Sequence, residues 1–282
     1  MWTQVDRTHL DSLLRFLGPH EAGCVAFTSQ LRQDGEIAMP PRRLARIYAR
    51  YERDRVTGAL LQNLSGLYYP VLDPIHPTIE PELVQLCTRV TRRVYSVMGR
   101  QEDVLAFEAS LARSPHQCLD YYLMVQHHVP PERPFPRVPR GFVVHTAKPD
   151  DVETLFSLQK QYEIEEVLLP GNTFHAASSR KHLESTLSSE LVLYGTLADR
   201  PIAKVATNAR GIFYDQIGGV FTEPSFRSRG ISSLLMTRLL EQIAKAGKSG
   251  TLFVKKDNAS AIKMYTNLGF VREHDFRISY YG

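Results

Sequence analysis

A chain of 282 residues is roughly twice the common domain length, so two domains, or two copies of one, are expected. Apolar residues at 43% and charged residues at 23% lie near the globular average, which excludes a mainly disordered chain, a collagen-like repeat and a coiled-coil rod. Lys and Arg number 34 against 30 Asp and Glu, and each half carries 17 basic and 15 acidic residues; charge this evenly spread implies no dedicated nucleic-acid surface, and no nucleic-acid partner is expected.

The first predicted elements are a helix near Leu10–Phe16 and a strand near Gly23–Phe27. Thr57–Leu61 and Leu67–Leu72 flank Ser65-Gly66 as a hairpin, followed by a helix over Glu80–Arg92 and a strand at Val94–Met98. Glu102–Leu111 reads as helical and Asp120–Gln126 as extended. Val129–Arg140 has five prolines in twelve residues. Proline lacks the backbone donor, so this segment can continue neither a helix nor a sheet and reads as a stiff linker. The expected division is therefore 1–128, a linker 129–140, and 141–282.

Beyond the linker come a strand at Gly141–Thr146, a helix from Pro149 to about Val167 and a second helix at Ala176–Ser189. Leu191–Leu197 and Ile202–Asn208 form a hairpin about Ala198–Pro201, and Phe213–Thr222 lies beside it. From Ile231 to Ala246 apolar residues recur at spacings of three and four, an amphipathic helix that Gly247 stops. Strand Thr251–Val254, helix Asn258–Leu268 and strand Phe270–Tyr281 complete an α/β (α+β) domain on one central sheet. The first half follows a looser version of this rhythm, which makes an internal structural repeat plausible although no stretch repeats by residue.

Cys24, Cys87 and Cys118 are odd in number and lack zinc-site spacing, so they are expected to be reduced core thiols. His127-His128, His175 and His182 have no acidic or cysteine partner at metal-ligand spacing, and no metal is expected. The absence of a leader-like start and of any window of about 18 apolar residues points to the cytoplasm, with no membrane partner.

The segment from Gly218 to Ser232, GGVFTEPSFRSRGIS, carries the most chemistry. A strand enters a short basic turn, and a glycine immediately precedes a long helix. A helix N-terminus presents unpaired N–H groups and partial positive charge, so amides from Ser228 to Ser232 can wrap a pyrophosphate, with Gly230 permitting close approach. Arg227 and Arg229 add charge. One amide to a charged acceptor contributes roughly 1.5 to 3 kcal/mol, so three or four supply much of the roughly 8 kcal/mol of a micromolar ligand. An ordinary strand-to-helix turn with solvated arginines is the other reading of the local pattern.

RSRGIS fits R/Q-x-x-G-x-G/A, and Asn258, Ala261, Tyr265, Gly269 and Phe270 fit N-x-x-A-x-x-x-Y-x-x-x-G-F. With these two motifs in order, Gly141–Tyr281 resembles the GNAT superfamily of acyl-CoA-dependent N-acyltransferases. Ser232 departs from the family's small final residue. The resemblance implies a mixed central sheet flanked by helices, in two tandem GNAT-like domains. It also implies acetyl-CoA as co-substrate, with Gly219, Val220, Phe221 and Thr222 pairing their backbone with the pantetheine arm. The phosphates would lie on Arg227, Ser228, Arg229, Gly230, Ile231 and Ser232. Tyr265 would be the general acid that protonates the departing thiolate, and Asn258, with Ala261 in the same turn, would cap the helix and face the cofactor.

An amine must lose a proton before attacking a thioester, so a carboxylate is wanted nearby. Leu155, Gln159, Tyr162 and Glu166 form a helix stripe that turns polar toward its end, as a cleft wall would. Glu166 is the first candidate base or amine-binding group, Glu165 the second and Asp215 the third, with a solvated acidic helix end equally open. These acids favour a cationic small-molecule or peptide amine as acceptor. An acyl-CoA-binding regulatory module without turnover is the alternative function. In the first half the loop after Leu72, Asp73–Pro81, has no glycine and three prolines, so that half is expected not to bind acyl-CoA.

Overall fold

A computed structural model describes residues 1–281 apart from 34, 42, 43, 76, 92 and 128–136. Twelve strands join in one sheet: β1 (Trp2–Gln4), β2 (Ala45–Glu52), β3 (Arg55–Asn63), β4 (Leu67–Leu72), β5 (Ser96–Arg100), β6 (Gln117–Gln126), β7 (Phe142–Thr146), β8 (Val192–Leu197), β9 (Arg200–Arg210), β10 (Tyr214–Thr222), β11 (Ser249–Lys255) and β12 (Phe270–Tyr280). Among the described residues eight α-helices accompany them: α1 (Leu10–Leu17), α2 (Val25–Thr28), α3 (Pro81–Thr91), α4 (Gln101–Ala109), α5 (Val152–Tyr162), α6 (Ala176–Ser189), α7 (Ile231–Lys245) and α8 (Ala259–Asn267).

The sheet order is β1-β2-β3-β4-β5-β12-β6-β11-β10-β9-β8-β7. Each element of the first half has its counterpart six strands or four helices later, so the expected internal repeat is present as topology. The last strand of each half is exchanged: β6 pairs with β11 and β12 with β5, all antiparallel, and β6 and β12 pair with each other at the centre. There Asp120 faces Arg277 in register and binds it at 2.8 Å. In both halves the fourth and fifth strands are parallel and joined by a helix, a connection that needs the long crossover seen here.

Strand alternation feeds two faces. Leu123 and Val125 of β6 enter a core with Leu13 and Leu17 of α1, whereas Met124 between them packs with α7 residues such as Leu235 and Leu239. On the α1 face of the second half, α5 and α6 bury Leu155, Leu158, Leu183 and Leu187 against Tyr194 and Phe221. On the opposite face of the first half, Leu83, Val84, Val104 and Phe107 cover Tyr68 and Val97.

The expected strand at Gly23–Phe27 is instead a 3-10 segment, Gly18–Gly23, running into the short helix α2. Val25 and Phe27 are both fully buried, a local alternation that mimics a strand. Their segment is bent by the buried Glu21 carboxylate, which accepts from Thr28 Oγ1 at 2.8 Å, from Phe213 N at 2.9 Å and from Ile212 N. These bonds tie the first half to the β9–β10 turn. Glu21→Ala should therefore destabilise folding by about 2 to 3 kcal/mol, because charge-assisted bonds are lost and amides left unpaired; urea unfolding of the two proteins measures it. Strands β1 and β2 are additional to those expected. The predicted helix from Pro149 to Val167 begins as a 3-10 turn and ends as a π-helical turn, Glu163–Val167, around the α-helical α5. Of the predicted linker, residues 129–136 lie outside the described residues, as does His128. Cys24 and Cys87 are buried thiols outside any disulfide, but Cys118 is exposed at the start of β6, which corrects its reading as a core thiol.

Candidate active site

Strands β10 and β11 pair only from Tyr214 to Ile217 against Ser249 to Leu252. On its other edge β11 pairs with β6 from Thr251 to Lys255, but beyond Leu252 β10 leaves it. The edge of β10 from Gly218 to Thr222 is thus unpaired toward β11, where an extended ligand could add its own hydrogen bonds. Gly219 sits in the bulge between the Ala206–Gly218 and Lys204–Phe221 pairs, with φ +61, and a Cβ there would lie 3.1 Å from Lys204 Nζ. Both conditions favour glycine.

The free edge leads through Pro224–Phe226 to the N-terminus of α7. Ser228 at φ +62 and Gly230 at φ +78 fold the loop onto the first helical turn, and Gly230 is the N-cap with no side-chain acceptor for the leading N–H groups. Ile231 is buried and anchors this turn. The Ser232 hydroxyl meets Thr222 Oγ1 at 2.7 Å, which holds it against β10. Arg227 donates Nε to Thr222 O at 3.0 Å and pairs with Glu165 at 2.7 Å, while Arg229 reaches Ser225 O at 3.3 Å. Both arginine heads are thereby engaged. Val220 is half-buried beside the core that packs on α7.

On the other side of the splay, Asn258 caps α8 by accepting from Ala261 N at 3.1 Å, as its sequence position foretells. Two turns beyond this cap Tyr265 is buried, 5.9 Å from the Phe270 ring. Burial, reinforced by Tyr162 and Glu166, raises its phenol above the usual range. Burial raises Tyr162 as well, with the Gly219 amide pulling it partly back, and raises Tyr121 of β6. Tyr121 stands in register with Lys255, so the exchanged strand brings a first-half phenol to this cleft.

All three acids of the α5 end lie in the π-helical turn, a form that often marks functional sites. Of the candidate acids, Glu166 pairs with Lys255 at 3.0 Å and Glu165 with Arg227 at 2.7 Å. Asp215 is corrected: it is fully buried near the start of β10, before the splay, with Lys248 at 2.8 Å and Arg210 at 3.6 Å. It supports the strand and does not face the cleft mouth. Among the described residues no group of three or more His, Cys, Asp or Glu could hold a metal, and no helix is long and apolar enough to cross a membrane.

The side chain that sequence reasoning missed is Lys204. It is 3% exposed, donates to Gly219 O at 3.3 Å and lies 4.5 Å from the Tyr162 ring. Its signal was available, a lone lysine inside the apolar run of β9. Burial pushes its ammonium down to about 8 from 10.5, against the pull of Glu163. The native pKa lies below the unfolded one, so the folded chain binds fewer protons between about pH 8 and 10.5, and stability should rise with pH across that window. At pH 7 the cost is about 3 kcal/mol. Lys204→Met should flatten this rise, as urea midpoints at pH 7, 9 and 10 would record.

Residues 195–278 match the family model of FR47-like protein. No curated protein matches the chain in sequence. Among solved structures, the chain is similar to a Drosophila protein (14% identity, TM-score 0.67, covering 99% of this chain and 98% of that one). It is similar also to a tandem GNAT protein from the clavulanic acid biosynthesis pathway (15%, 0.60, covering 100% and 98%) and to a GCN5-related N-acetyltransferase from Sphaerobacter thermophilus (15%, 0.59, covering 99% and 94%). With the same strand-and-helix order in both halves and the splayed pair inside the matched segment, the chain has the fold of the tandem GNAT protein it is similar to, and its second half carries the FR47-like match.

Proposed function

We propose that the chain is a cytoplasmic N-acetyltransferase that moves the acetyl group of acetyl-CoA to a primary amine by direct attack in a ternary complex. The observation that carries this reading is the unpaired edge of β10 after Ile217 running into the side-chain-free N-terminus of α7. The pantetheine arm would extend along Gly219–Thr222 and the pyrophosphate would meet the amides of Ser228–Ser232. The amine nitrogen forms the new bond to the thioester carbon, the carbon–sulfur bond breaks, and the Tyr265 phenol gives its proton to the leaving sulfur. Its raised pKa keeps that proton available at neutral pH. Glu166 is the acid best placed to take the amine proton through water, since its charge is felt by both Tyr162 and Tyr265.

The first half, taken as residues 1–128 with 129–140 as linker, acts in this reading as a scaffold for the 141–282 half and binds no acyl-CoA. Its splay between β4 and β5 is occupied by Arg100, which donates to Leu72 O at 2.7 Å and to the buried Asp103 at 2.9 Å. Pro74, Pro77 and Pro81 remove donors from the loop that would face a phosphate. Purified protein with acetyl-CoA and a panel of amines tests the proposal by release of free thiol. Release that requires an amine supports it; tight coenzyme A binding with no turnover on any amine supports a regulatory acyl-CoA module instead.

A further inference from the structure

Lys204 has no place in the reaction as described, yet it occupies the bulge on which that reaction would turn. An ammonium has three N–H donors. Here one is used, at 3.3 Å to Gly219 O, and the Tyr162 ring covers another side at 4.5 Å. Among the described residues no carboxylate comes within 4.0 Å of Nζ. Glu163, the closest in influence, accepts from Gln159 at 2.7 Å and acts on Lys204 only through space. The other acids of the turn are matched by Arg227 and Lys255. A buried ammonium without a hydrogen-bonded counter-charge opposes folding, and such placements concentrate where a ligand supplies the missing partner.

We propose that Lys204 receives a carboxylate of the substrate, carried either by the amine acceptor beside its amine or by the far end of the acyl group. This rests on the acyl-CoA reading above. It also reverses the expectation of a purely cationic acceptor: the acids that suggested one are paired with fixed cations, and the group left without a bonded counter-charge is positive. A carboxylate arriving at Nζ would take the unused N–H donors in charge-assisted bonds, in surroundings too dry to screen them.

The test has two arms that separate the sources. In the first, turnover with acetyl-CoA is compared for amino acids and for the matching amines without the carboxylate, alanine against ethylamine and phenylalanine against phenethylamine. In the second, calorimetry compares succinyl-CoA with butyryl-CoA, without acceptor. At least a tenfold preference for the carboxylate member in either arm, lost in Lys204→Met while the coenzyme A Kd stays within twofold, is the expected result. Equal handling in both arms, or a preference that survives in Lys204→Met, overturns the proposal; cooperative unfolding of the variant in the urea series above is the check that it folds. Should coenzyme A itself not bind, the acyl-CoA reading falls separately. Lys204 is then judged by thermal shift with free succinate and alanine at millimolar concentration. Stabilisation that disappears in Lys204→Met keeps the carboxylate site, and its absence removes it.

Discussion

Gly230→Glu should weaken coenzyme A binding by about a thousandfold or more, measured by calorimetry, while the chain still unfolds cooperatively. Gly230 holds φ +78 as the N-cap of α7, and a residue with a Cβ is strained there by roughly 1 to 2 kcal/mol. Relief of that strain would rotate the leading amides away from the ligand, each of which contributes roughly 1.5 to 3 kcal/mol to a charged acceptor. A carboxylate placed among phosphates adds repulsion that Arg227 cannot offset, because Glu165 already binds it. Two lost amide bonds alone reach about 4 kcal/mol, which is roughly a thousandfold at 1.4 kcal/mol per decade. Gly230→Ala isolates the backbone effect: it should cost about tenfold. Unchanged affinity in Gly230→Glu would remove the pyrophosphate from this loop.

The prominence of that loop in the sequence has a physical basis. A glycine before an apolar period and an asparagine three residues before an alanine are local signals, and both produce the caps they imply at Gly230 and Asn258. The exchange of β6 and β12 leaves no such signal, because it pairs residues near 120 with residues near 277, and neither strand's own pattern names its neighbours. Strand β2 was hidden for another reason. Arg50 interrupts its apolar run, and only the folded chain reveals that this guanidinium is buried and bound to Thr57 Oγ1 at 3.0 Å. The candidate acids illustrate the same boundary between local and distant information. Their crowding at the end of α5 was legible, but their neutralisation depends on Arg227 and Lys255, 62 and 89 positions away. Lys204 is the converse: a visible irregularity in β9 whose meaning needs the bulge of β10 opposite it.

Tyr265→Phe should lower kcat by about a hundredfold or more, within the range that a positioned proton donor contributes, and leave the Kd of coenzyme A within twofold. The ring remains, so its edge-to-face contact with Phe270 at 5.9 Å and the burial of α8 are kept. With the ring's packing kept, the urea midpoint should stay close to that of the parent chain. Proton donation therefore separates from packing in one variant. The pH profile sharpens the distinction. Burial raises the phenol above its ordinary range, so a donor role predicts no fall of kcat attributable to Tyr265 up to about pH 10, where an unperturbed tyrosine would be half ionised. In the phenylalanine variant the remaining rate should depend on the basicity of the departing thiol: coenzyme A analogues with more acidic thiols leave without help and should recover part of the loss. A turnover equal to that of the parent chain would exclude the phenol as donor, and the leaving thiolate would then have to take its proton from water.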